Sequence, residues 1–327
     1  MPRNPASSRR ALPAAVSTLV AELVHGPPVD ATVIGVHRYA VYLAVGGSVL
    51  PVVTADAVPL PTAVRLAVPS GSVAWGVGVG RPVRVGGGRV ELVGLDVVAA
   101  RTWRPARVRR QVPAPLTPRG ECASGCHDHR FRTHGELGAA SGEAGDDSRG
   151  SAWLADGIRD VCSAAAPRGE CGSGCQSDHF RTHGEVAAAV AGLVGRGAGL
   201  TPSGDDALAG ALLVAHALGT GTALADAVRA RLGATTAVSA ALLDAAADGY
   251  AARPVVTLVD AAVANDPDAV ARALPAVLAI GHTSGTDTVT GIRVALDAII
   301  PRVECGSGCR DDHCRTHGGT TNGRRAA

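Results

Sequence analysis

Two short polar stretches hold the residue types best suited to chemistry. Thr201, Ser203, Gly204, Asp205 and Asp206 fall in G-L-T-P-S-G-D-D-A-L-A-G, residues 199–210; His282, Thr283, Ser284, Gly285, Thr286 and Asp287 fall in H-T-S-G-T-D-T-V-T-G, residues 282–291. Aligning Ser203 with Ser284 also aligns Gly204 with Gly285, Asp206 with Asp287 and Gly210 with Gly291, a shared S-G-x-D-x-x-x-G. Each stretch runs from a loop into an apolar segment, which marks a helix start: Pro202 suits a turn or first helical position, Ser203 an N-cap, and the aspartates the first turn.

A helix N-terminus presents unpaired amides and the positive end of the helix dipole, so two of them facing one cleft would cradle a small anion. The hydroxyls of Thr201, Ser203, Thr283, Ser284 and Thr286 add donors, and Gly204 and Gly285 allow close approach to the backbone. Asp206 and Asp287 oppose an anion. The conflict resolves if a divalent cation such as Mg bridges the carboxylates and ligand oxygens, or if the aspartates bind the amide or ammonium end of the substrate, with His282 as proton carrier. The bland reading makes the serines caps, the aspartates partners of the dipole, and Gly210 and Gly291 points of helix packing. On the helix that follows Thr235 and Thr236, Asp244 and Asp248 read as a solvated face, with Thr235, Thr236 and Ser239 as secondary candidates for the cleft.

The elements that must position these residues follow from periodicity. From residue 31 to about 98, short Val-rich runs punctuated by Gly-Gly, Pro and Ser-Gly predict a small all-β, barrel-like domain, with a hairpin at Gly86-Gly87-Gly88. From Val186 onward helical spacing dominates, and it predicts helices starting near residues 204, 223, 238, 255, 268 and 285. The expected architecture is α+β. It comprises an N-terminal helix or arm (1–30), a β domain (31–105), a linker (106–150), an α-helical domain (151–300) bearing both tips, and a C-terminal tail (301–327). Residues 11–24 read as a surface helix, residues 137–150 as a loose loop, and Cys162 as core or helix surface.

A 19-residue unit recurs at 118–136, 167–185 and 301–319, built on E-C-x-S-G-C followed by R-T-H-G. Cys171, Cys175, His179 and His183 form C-x3-C-x3-H-x3-H, and Cys305, Cys309, His313 and His317 repeat it. The first copy has Cys122, Cys126 and His134, with Arg130 in the third ligand's place. Two thiolates and two imidazoles suit tetrahedral zinc. Against zinc, the units hold seven of the eight cysteines and seven of the eleven histidines, at three unrelated places in the chain. Near-identical copies of foreign composition favour an in-frame repetitive insertion, tolerated in loops and termini, over a zinc-binding interaction module.

Composition closes several classes. The chain has 327 residues and a formal net charge of +2, and its basic residues are all arginine. That excludes lysine Schiff-base chemistry and a Walker A phosphate loop, and it gives no global field that would recruit nucleic acid. No run is long enough to span a bilayer, and the expected setting is cytoplasmic, without membrane partners.

The strings G-R-G-A-G-L-T-P-S-G-D-D-A-L-A-G (195–210), T-T-A-V-S-A-A-L-L-D-A-A-A-D-G-Y (235–250) and G-H-T-S-G-T-D (281–287) resemble the AllH family. The resemblance implies a subunit of oxamate carbamoyltransferase, a multi-subunit enzyme of anaerobic purine or allantoin breakdown. That enzyme interconverts oxalurate plus phosphate with oxamate plus carbamoyl phosphate. It also implies companion subunits and small anionic substrates bearing an amide-like end. On that expectation Asp206, Asp287 and His282 are the catalytic candidates, and the remaining tip residues bind substrate. A non-catalytic protein that senses a small anion is the alternative.

Overall fold

The computed structural model describes residues 9–111, 137, 148–165 and 183–300. The three repeat units lie almost wholly outside these residues, so the zinc question they pose does too.

Eight strands form a closed barrel: β1 (Arg10–Ser17), β2 (Val29–Val36), β3 (Ala40–Val45), β4 (Ser48–Val53), β5 (Val64–Leu66), β6 (Pro82–Gly86), β7 (Arg89–Leu92) and β8 (Leu95–Trp103), in the order β1-β5-β4-β3-β2-β6-β7-β8. Val16, Val33, Leu43, Leu50, Val85 and Val97 fill its interior. Closure removes the free edges that Val-rich strands would otherwise expose. Two of its seams are parallel: β4 with β5, and β1 with β8 from Arg10↔Leu95 to Ser17↔Trp103.

The expected helix over residues 11–24 is therefore replaced by a strand, followed by only a short helix, α1 (Ala21–His25). The reason is readable in hindsight. Pro13 lacks the amide that a helix interior needs, and Leu12, Ala14 and Val16 bury at strand alternation. Strand β8 runs on through Arg101–Trp103, beyond the Val-rich runs that end near residue 98 and still inside the expected β domain. The hairpin at 86–88 forms as anticipated, with Gly86 paired to Arg89 and all three glycines at positive φ.

The rest of the described chain is helical: α2 (Ser148–Ala165), α3 (His183–Ala191), α4 (Ser203–Ala217), α5 (Thr222–Arg229), α6 (Ala237–Ala247), α7 (Arg253–Val263), α8 (Pro267–Leu278) and α9 (Ser284–Ile299). Helix α4 is apolar on every side and buried over nearly its whole length, and α2, α6, α7 and α9 pack around it. Helix α2 contributes Leu154, Ile158, Val161 and Cys162 to that core. Burial pushes the Cys162 thiol up to about 12, which makes it an inert core residue. Leu137 is fully buried and Ser148–Gly150 open α2, so the ends of the stretch expected to be a loose loop are structured. None of the described helices is long and apolar enough to cross a membrane.

Candidate functional site

The N-termini of α4 and α9 meet. Helix α9 makes its most extensive contact with α4, and the crossing is close because both helices carry glycine there. A Cβ on Gly210 would fall on the carbonyl oxygen of Thr288, and one on Gly291 would fall on that of Ala207. Ala207 and Thr288 are themselves equivalent in the S-G-x-D alignment, so the two contacts mirror each other. The mirrored contacts give α4 and α9 an approximate two-fold relation.

At the tips, the Thr201 and Ser284 hydroxyl oxygens stand 3.0 Å apart, joining residues 83 positions apart in the chain. The carboxyls are dressed reciprocally. Hydroxyls of Ser284 and Thr201 bear on Asp206, and those of Ser203 and Thr283 bear on Asp287. Each serine thus serves the other hairpin's aspartate. Asp206 is 9% exposed, and Oδ2 of both Asp206 and Asp287 is buried without a hydrogen-bond partner among the described residues.

Burial pushes the Asp206 carboxyl up to about 7, and the nearby charges of Asp287 and Asp205 push the same way against the hydroxyls that stabilise its ionised form. Burial likewise raises Asp287, opposed by Ser203 and Thr283. Burial therefore favours the protonated form of both carboxyls, and the Asp287 charge adds to that effect at Asp206.

Other tip residues take different roles from those expected. Neither Ser203 nor Ser284 caps its helix; each is the first helical residue, after Pro202 and Thr283. Gly204 and Gly285 do not open the backbone to a ligand. Both are buried, a Cβ on them would strike the carbonyls of Leu193 and Val277, and their amides donate to Arg196 O (2.9 Å) and Ile280 O (3.0 Å). The amide of Asp206 donates to Pro202 O and that of Asp287 to Thr283 O. Much of the amide cradle expected of the helix ends is thereby used internally, and hydroxyls and carboxyls set the character of the site.

Asp205 is 1% exposed and accepts from Gly195 N at 2.8 Å and from the Thr235 hydroxyl, so it anchors the loop before α4. Thr236 assists by donating to Leu200 O while its oxygen caps α6 at Ser239 N. Arg196 stacks on Trp153 with 4.0 Å from guanidinium carbon to ring centroid, holding the same loop from the far side. Sequence reasoning missed Arg196; Thr235 and Thr236, only secondary candidates for the cleft and read first as the start of α6, tether the loop, and Thr236 caps that helix. Asp244 and Asp248, expected on a solvated face, bind Arg229 at 2.8 and 2.9 Å.

His282 and Thr283 are exposed at the rim, while Thr201, Ser203, Ser284 and Thr286 are half-buried. Cavities of about 310 Å³ between α2 and α3 and 190 Å³ beside α5 are lined by none of the expected site residues. The described residues contain no group of three His, Cys, Asp or Glu side chains placed to hold a metal. Two carboxyls with hydroxyl neighbours suit Mg only where water and substrate oxygens complete the shell.

No solved structure matches the chain. Residues 193–296, which carry α4 to α9 up to Leu296 and both tips, match the AllH family, described as oxamate carbamoyltransferase subunit AllH, and over this segment, less than half of the 327 residues, the family resemblance holds.

Proposed function

We propose that this chain is a subunit of an oxamate-carbamoyltransferase-like complex, and that its paired tips take the amide end of oxalurate or oxamate. The observation that carries this reading is the pairing of buried Asp206 with half-buried Asp287, each with a hydroxyl from the opposite hairpin and a buried Oδ2 that has no hydrogen-bond partner among the described residues. A pair holding one proton matches a primary amide: the ionised carboxyl accepts from N–H and the protonated one donates to C=O. Internal use of the tip amides supports recognition of the substrate's amide end over its anionic end.

The chemistry then needs one proton relay. A phosphate oxygen attacks the carbamoyl carbon of oxalurate, and the bond from that carbon to the inner nitrogen breaks. That nitrogen takes a proton as oxamate leaves, and the hydrogen-phosphate O–H releases one, so the balance closes. Asp206, with acidity near neutrality, is the group matched to donate and recover that proton. Asp287 biases the pair toward keeping it, and His282 at the rim exchanges it with solvent. The reverse reaction uses the same groups with roles exchanged.

The test is co-expression with candidate companion subunits, followed by oxalurate phosphorolysis in the purified complex. Asp206→Asn and Asp287→Asn are each expected to lower turnover by about 10²-fold or more, with subunit assembly intact. Full turnover in Asp206→Asn would overturn the assignment. Binding of oxamate with no turnover by the assembled complex would move the chain to the sensing role.

A further inference from the structure

The 190 Å³ cavity beside α5 lies away from the tips, between the segment that leaves the barrel and the helical unit. Its wall holds Arg107, Arg110, Arg229 and His216, and Gly221 and Thr222 bring the N-terminus of α5 to it. No side chain caps that helix. The wall also carries two acidic residues, Asp226 and Asp248. Asp248 is bound to Arg229 Nη2 at 2.9 Å, while Arg229 Nε goes to Asp244 at 2.8 Å, and Asp226 is exposed one turn along α5. Arg229 is neutralised locally, which leaves Arg107 and Arg110 as the operative cations.

Arg107 is pre-positioned. Its Nε donates to Asp248 O at 2.8 Å and its guanidinium lies over Tyr250, which leaves the two Nη groups for a ligand. Arg110 makes no ion pair among the described residues. The decisive group is His216, only 8% exposed, with Nδ1 3.2 Å from Ala247 O. Donation to that carbonyl fixes the tautomer and leaves Nε2 with no partner among the described residues, in a side chain that lines the cavity with Arg107 and Arg110. Close by in the chain, the Thr220 hydroxyl is buried and also unpartnered.

We propose that this cavity binds a small tetrahedral oxyanion of the phosphate class, held by the guanidiniums of Arg107 and Arg110, by the amides opening α5, and by a protonated His216 Nε2. Helix termini and arginine forks are the groups that recognise such anions, and 190 Å³ has room for a phosphate or a small phosphate ester. Burial lowers the His216 imidazole in the empty protein, and Arg107 and Arg110 lower it further; a bound dianion reverses the sign of that field. Because Val108 N donates to Gly249 O and Gln111 N to Ala217 O, occupancy also ties the barrel's exit segment to the helical unit.

The experiment is titration of the full chain with inorganic phosphate and, separately, with methyl phosphate, followed by calorimetry and by the NMR titration of the His216 ring, assigned with His216→Gln. The expected result is saturable binding that raises the His216 midpoint, weakened roughly tenfold or more by Arg110→Ala and unchanged by Asp206→Asn. Binding of both probes marks the phosphate group as the recognised unit, and binding of inorganic phosphate alone marks free phosphate as the ligand; either supports the site. Absence of a saturable His216 response, or a response indifferent to Arg110→Ala, overturns it. Arg110 is exposed and makes no side-chain bond among the described residues, so its loss is not expected to compromise folding.

Discussion

Replacing Asp206 by asparagine tests the buried acid pair without touching substrate. The sign follows from the raised acidity constant. An unfolded aspartate releases its proton near 3.8, whereas the folded one holds it to about 7. Between these values the native state binds more protons than the unfolded state, so stability falls as pH rises, by about 1.4 kcal/mol per pH unit. Ionisation is complete in both states above the folded value, and the loss levels off there. Integrated from about pH 5 to about pH 8, the loss due to this one group comes to roughly 2.5 kcal/mol. Asparagine keeps the shape and cannot ionise, and the titrating groups that do not interact with Asp206 cancel in the comparison. Reversible urea unfolding of both proteins at the two pH values is therefore expected to show Asp206→Asn gaining roughly 2.5 kcal/mol on the wild type as the solution becomes alkaline. A difference that stays constant to within about 0.5 kcal/mol would mean that Asp206 ionises like a surface carboxyl, and the proton-sharing pair would fall with it.

Two further substitutions test the frame that builds the site. Gly291→Ala drives a Cβ into the Ala207 carbonyl and is expected to cost about 1–3 kcal/mol, against the usual helical gain for such a change; Gly233→Ala, with no atom within 4 Å of the added carbon, is expected to be nearly neutral by thermal melting. Thr235→Val leaves an Asp205 oxygen buried and unpartnered. It is expected to cost about 1–3 kcal/mol and to speed hydrogen exchange at the Gly195 amide, which Asp205 binds.

The repeated S-G-x-D-x-x-x-G made the juxtaposition of the tips legible, because two identical polar helix starts have a common explanation only if they meet. The role of each residue within the pattern was not legible. Ser203 has the composition of an N-cap, yet its hydroxyl bears on Asp287, a contact that depends on how α4 crosses α9 and leaves no trace in local spacing. Asp205 and Asp206 are adjacent and chemically equal in sequence. Helical geometry points them about 100° apart, one toward the Gly195 loop and the other toward α9. In the barrel, strands with clean Val alternation were readable. Strand β1 was missed because Ala-rich alternation also satisfies helical spacing, and Pro13 was the signal that could have separated the two.

The two aspartates occupy equivalent positions of the repeat, but their rims differ, and that difference bears on what the pair can bind. The contacts of Gly204 with Arg196 and of Gly285 with Ile280 are equivalent, but the first spans eight positions and the second five. The longer loop is tied down by Asp205, Thr235, Thr236 and Arg196, and it carries Thr201 onto Ser284. The position equivalent to Thr201 is His282, which sits on the short loop, exposed and without a counterpart contact to Ser203. A ligand with two like ends would be served by equal rims. On the proposed reading, one with an amide at one end and a carboxylate or phosphate at the other would have a single favoured orientation, its amide toward Asp206 and Asp287 and its charged end toward His282. Exchanging Thr201 and His282 would invert that rim while leaving the acid pair in place, so a change of substrate preference without loss of the raised Asp206 acidity is the outcome this asymmetry demands.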